Sequence, residues 1–359
     1  MRLSVSKYAF DRKRVYDAMG SGVRHKGLEL GGVVTQGLRQ ADLYRITHDT
    51  RSNRVLIMPI LHPLEVPVRA MILPLRDRVA AGKIRDAVRE LLLPVLPEGG
   101  IWLQDDALYH ATLYHASSHV VGRLWWVGRR RCEKPIRARP EVIAEEEQSI
   151  RAVCDATCPI NAVLERLVVT TTGVVVACWQ VLPDGGEPAL LRAALGAALP
   201  NAPPREAQMV KEPAMLHTTV ARLLLPPNST QLAAAAAAVE AVSAAGRRRL
   251  LASDSQTQHL QQQGVAAGLE AATERTESSS GGSAAVAAVD SDVVVRAVEV
   301  LSATLCGLRA QFGEVWFIEE QDLLALALNG RYIKHVAPLS CPAEGAAAEA
   351  AGQGAAAAA

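Results

Sequence analysis

Two short stretches carry histidine and threonine at a spacing that could do phosphorus chemistry: His110-Ala111-Thr112-Leu113 and His217-Thr218-Thr219-Val220. Side chains alternate along an extended strand, so His110 and Thr112 share one face while Ala111 and Leu113 take the other. His217 and Thr219 pair in the same way. Each stretch presents an imidazole and a hydroxyl roughly 6.5–7 Å apart along the chain. Two such strands set side by side would face a tetrahedral phosphate from opposite sides. In-line displacement needs a base on the attacking oxygen and an acid on the leaving oxygen, with the two hydroxyls donating to non-bridging oxygens. Histidine suits both roles, because a pKa of about 6.5 lets neutral and protonated rings coexist near neutral pH. No metal or other cofactor is needed. The spacing alone leaves a plainer reading open, that of two satisfied histidines beside threonines, which are common strand residues.

The neighbouring residues divide by the same alternation. Tyr114 falls on the His110 face and could stack on a base or simply pack. His115 falls on the opposite face, so a metal shared by His110, His115 and His119 would need a sharp bend, and no metal site is expected. His119 could instead contact substrate at the mouth of the site. Arg123 and Arg129-Arg130-Arg131, with Trp125 and Trp126 between, form a candidate strand-binding patch or a set of loop arginines over partly buried rings. Arg222 alternates onto the Val220 face, opposite His217, and is expected to make a structural ion pair. Glu319, Glu320 and Asp322 interrupt an apolar strand, as a bulge or a cleft edge would.

These residues need elements to hold them. Residues 107–116 and 215–225 read as strands. Residues 76–93 read as a helix, with Ala80, Ile84, Val88 and Leu91 at helical spacing and Pro94 as the stop. Pro140 opens a second helix whose Glu145–Glu147 run reads as a solvated face, and a short helix is expected at 187–199. The strongest hairpin signal is 164–181, two β-branched runs joined around Thr172-Gly173. Residues 293–312 place Val294, Val298, Leu301, Leu305, Leu308 and Phe312 on one helical face, and 314–330 reads as strands ending at Asn329-Gly330.

This organises the chain as a loosely ordered arm over 1–50 and a folded domain over 51–227 and 292–341. A disordered Ala/Gln/Ser-rich insertion at 228–291 and an alanine-rich tail at 342–359 complete it. The 359 residues are 49% apolar but only 4% aromatic, and alanine runs supply little core volume. The net charge of +1 gives no global field toward nucleic acid or anionic membranes, so polyanion binding would rest on local clusters. The six cysteines contain no CxxC pair and read as buried free thiols in a reducing compartment. No stretch reaches the roughly 18 apolar residues of a membrane span. With no secretory core at the N-terminus, and with Asp11 and Asp17 ill-suited to a transit peptide, an intracellular protein is expected, cytoplasmic by default.

The paired tetrads, HATL at 110–113 and HTTV at 217–220, resemble the signature of the two-histidine (2H) phosphoesterase superfamily. LYHATLYHASSHVV, TTTGVVVACWQV, LHTTVARLL and EVWFIEEQDLLALALNGR are similar to a plant and algal branch described as RNA ligase/cyclic nucleotide phosphodiesterase-like. The resemblance covers 100–227 and 293–335. It implies an α+β, two-lobed fold of antiparallel sheets with flanking helices, one tetrad per lobe and the site in a central cleft. It also implies His110 and His217 as the acid/base pair, Thr112 and Thr219 as phosphate ligands, and a nucleotide or RNA end carrying a cyclic phosphodiester as substrate. A module on the same fold that binds nucleotide or RNA without turnover is the alternative.

Overall fold

The computed structural model describes residues 8–35, 38–117, 137–227, 282–323 and 328–342. The elements run α1 (Ala9–Lys26), β1 (Val33–Thr35), β2 (Leu38–Arg39), α2 (Gln40–Leu43), β3 (Tyr44–Asp49), β4 (Arg54–Pro59), β5 (Pro63–Pro74), α3 (Arg78–Leu92), β6 (Ile101–Leu103) and β7 (His110–His115). After these come α4 (Pro140–Asp155), β8 (Ile160–Val169), β9 (Val174–Val181), α5 (Pro188–Ala198) and β10 (His217–Leu223). The described chain closes with α6 (Gly282–Leu305), β11 (Arg309–Phe312), β12 (Glu314–Asp322) and β13 (Tyr332–Pro338). Two antiparallel sheets carry the fold: five strands in the order β11-β8-β9-β10-β6, and four in the order β13-β12-β5-β7. Helices flank them, giving the α+β class expected.

Each sheet turns one face to a shared apolar core. Met71, Leu73, Ala111, Leu113 and Phe317 come from the four-stranded sheet, and Leu164, Val175, Ala177 and Val220 from the five-stranded one. Ile84 and Val88 of α3, Leu195 of α5 and Val298 and Leu301 of α6 join them. The β8–β9 hairpin turns at Gly173, whose φ of 78° favours glycine. A Cβ there would also come within 2.9 Å of the Leu223 carbonyl oxygen, so the turn can pass close to β10 only without a side chain.

Several elements differ from the expectations above. The stretch expected to be a loosely ordered arm supplies α1, with Arg12 and Tyr16 fully buried against the five-stranded sheet. Its polar residues reach inward to backbone carbonyls, which hydropathy cannot register. Residues 282–291, placed in the expected insertion, are the first turns of α6, while 228–281 and the tail from 343 lie outside the described residues. Phe312, expected on a helical face, ends β11, because Gly307 takes a φ of 88° and breaks the helical run. Glu146 is buried rather than solvated: Arg69 of β5 binds it through Nε and Nη2 at 2.7 and 2.9 Å. Cys158 and Cys341, expected as free thiols, form a disulfide, while Cys154 and Cys178 are buried free thiols. No described helix is long and apolar enough to cross a membrane.

Candidate active site

The two tetrads occupy strands of different sheets that run side by side, β7 at the edge of one and β10 within the other. In both, burial alternates as the sequence predicts: His110, Thr112, His217 and Thr219 are half-buried, while Ala111, Leu113, Thr218 and Val220 are buried. Thr218 turns inward to accept a hydrogen bond from the Trp179 indole nitrogen at 3.1 Å. The face opposite the shared core therefore carries an imidazole and a hydroxyl from each strand.

The strand pairing then shifts register, at the same point in each tetrad. Across β5 and β7, Thr112 pairs with Ile72 but Tyr114 pairs with Met71, leaving Leu113 as the extra residue of a bulge. Across β9 and β10, Thr219 pairs with Val176 but Ala221 pairs with Val175, leaving Val220 extra. A bulge shifts which face the following residues take. Tyr114 is thereby carried off the His110 face onto that of Met71, packing against the core beside Gly196, where a Cβ would lie 3.3 Å from its hydroxyl. Of the two alternatives its position left open, Tyr114 packs. His115 is carried the other way, onto the face of Ala70, and is fully buried. Arg222, expected opposite His217, pairs with Val174 two positions along from Val176 and so lies on the His217 and Thr219 face. Its Nε and Nη1 are buried with no hydrogen-bond partner among the described residues, next to Tyr44, whose hydroxyl its charge influences. The ion pair expected of Arg222 is not among the salt bridges of the described residues. His119, Arg123, Trp125, Trp126 and Arg129–Arg131 lie outside the described residues.

Hydrogen bonds and burial set the state of each ring. His110 Nδ1 lies 2.8 Å from the Leu108 carbonyl oxygen; a carbonyl can only accept, so Nδ1 carries the proton and Nε2 is the basic nitrogen of the neutral ring. The pKa of His217 is drawn down to about 4, by burial first and then by the charges of Arg192 and His110. The two imidazoles are thus within electrostatic reach of each other. His217 is neutral at pH 7 and able to take a proton. No group of three or more His, Cys, Asp or Glu among the described residues could hold a metal ion.

The segment entering β10 is pinned from several sides. The Tyr16 hydroxyl shares its one proton between the Trp179 and Leu216 carbonyls, at 2.9 and 2.7 Å, and accepts from the Leu216 amide N–H at 3.1 Å. Arg12 donates to the Ala214 carbonyl at 3.2 Å while bound to Glu187. Gln208 pairs with both backbone groups of His115, at 2.8 and 3.1 Å, as a neighbouring strand would.

Sequence reasoning missed Arg192 of α5. It donates to the carbonyls of Leu113, Thr112 and Pro213, the first two at 2.9 and 3.0 Å. Burial lowers its pKa to about 10, which leaves it charged at neutral pH. The available signal was its spacing, three residues from both Ala189 and Leu195 on the buried face of α5.

No family model and no curated protein matches the chain. Among solved structures, the crystal structure of TT0787 of Thermus thermophilus aligns at 17% identity and a TM-score of 0.31, over 45% of this chain and 76% of that one. A likeness so slight carries no argument about fold or activity.

Proposed function

We propose that the protein is a metal-independent phosphodiesterase that opens a cyclic phosphodiester of the 2′,3′-cyclic nucleotide or RNA-end type. His217, neutral at pH 7, takes a proton from the attacking water. His110, protonated at Nε2, gives one to the leaving ribose oxygen. Thr112 and Thr219 donate to the non-bridging oxygens, and Arg222 supplies a positive charge on the same face. The observation that carries this reading is the mutual placement of the rings: two imidazoles on adjacent strands, each with a threonine two residues on, close enough that one lowers the pKa of the other.

The test uses the purified chain with nucleoside 2′,3′-cyclic phosphates and a short RNA ending in a cyclic phosphate, in the presence of EDTA. Turnover should fall at least about 100-fold in both His110→Ala and His217→Ala, the low end of general acid–base contributions. Activity that survives either substitution, or that requires added metal, sinks the proposal. Binding of these ligands without turnover would instead mark a nucleotide- or RNA-binding module.

A further inference from the structure

The histidine strands belong to different sheets, and no ladder of backbone hydrogen bonds joins β7 to β10. Their backbones are held together by the shared core and by whatever side chain bridges them. A bulge adds to the need for such a bridge, because its extra residue leaves backbone groups outside the ladder just where the tetrad ends.

We propose that Arg192 is the positioning residue of this site: its single guanidinium holds the backbone carbonyls of both histidine segments and so sets the separation of His110 from His217. Nε donates to Leu113, the bulge residue of the first tetrad, at 2.9 Å, and Nη2 donates to Thr112 at 3.0 Å. Nη1 donates to Pro213, four residues before His217. The side chain is 6% exposed, and all three bonds end on carbonyls. A buried cation is costly without a paired carboxylate, so this placement needs a purpose that a leucine on α5 could not serve. The planar fork of arginine addresses three carbonyls in fixed directions, whereas the ammonium of lysine is a point donor on a flexible stem. The same charge adds to burial in lowering the pKa of His217, so the side chain that holds the two segments also bears on the state of one ring. The inference rests on reading the two histidines as one site.

The test is a double-mutant cycle in the full-length chain, read by NMR titration of His217, which requires no turnover. In the wild type, His110 contributes to lowering the His217 pKa, so His110→Ala should raise the His217 midpoint. Arg192→Lys keeps the charge but loses the fork. In that background the effect of His110→Ala should shrink to less than half. An equal effect in both backgrounds overturns the proposal, as does an Arg192→Lys chain that urea denaturation shows to be unfolded, since the role would then be structural. If cyclic phosphates are turned over, Arg192→Lys should lower kcat about 10–100-fold with KM nearly unchanged, as a misplaced reacting group does; wild-type kcat overturns the proposal. A wild type with no turnover removes the proposed activity but leaves the titration cycle intact as a test of Arg192.

Discussion

An imidazole that its surroundings hold neutral is always in the form a general base needs, at the cost of base strength. His217 has its pKa lowered from 6.5 to about 4, so the acid limb of kcat/KM on a cyclic phosphate should fall close to pH 4. A limb near 6.5 would assign the base to another group. The same shift bears on stability. Between those two values the unfolded chain binds more protons at this position than the folded one, so stability rises with pH across that window and is unaffected by this ring above it. His217→Gln should flatten the dependence in urea denaturation between pH 4 and 6.5. Arg222 gives the opposite trade. With Nε and Nη1 buried and unbonded among the described residues, the guanidinium would gain bonds from a bound anion. Arg222→Leu should raise KM roughly 10–100-fold, corresponding to about 1.5–3 kcal/mol for a bond to a charged group. Stability in urea should hold or increase. Unchanged KM with lower stability would make Arg222 a structural residue.

Most elements of the fold leave a local periodic trace, and those were legible. The α3 helix, the β8–β9 hairpin and both histidine strands fall where spacing and turn residues put them. What spacing cannot carry is an interruption of spacing. The bulges at Leu113 and Val220 have no composition of their own, and they determine that Tyr114 leaves the His110 face and Arg222 joins the His217 face. The α1 helix was illegible for a different reason: its contribution is polar. Tyr16 closes a three-way junction between the Trp179 carbonyl and both backbone groups of Leu216, the residue before His217. Tyr16→Phe keeps the ring's packing but takes the hydroxyl from the buried Leu216 N–H, while the Leu216 carbonyl keeps the Trp179 amide. It should lower stability by about 1–3 kcal/mol, the cost of leaving such groups unpaired. Equilibrium urea denaturation measures it, and a loss below about 0.5 kcal/mol would mean that α1 does not anchor the second tetrad through this hydroxyl.

At the scale of the whole molecule, the two sheets share one core and turn their other faces outward, and the four-stranded one keeps a carboxyl buried on that outward side. Glu320 of β12 is 1% exposed, lies across from Val68 and Tyr332, and has Oε1 without a hydrogen-bond partner among the described residues. Burial pushes its pKa well above the usual 4.5, so the folded chain keeps this proton at a pH where the unfolded chain has released it. The sign is therefore opposite to that of His217: stability is fully present below pH 4.5 and declines as pH rises toward the folded value. Near pH 5–6 the two groups oppose each other, so the stability profile of the wild type should be flatter there than either alone would make it. Glu320→Gln, nearly isosteric and uncharged, removes only the second contribution. Its stability relative to the wild type should match at pH 4 and exceed it by a growing margin toward pH 8, measured by urea denaturation at each pH. A margin that stays constant with pH would show that Glu320 titrates alike in the folded and unfolded chains.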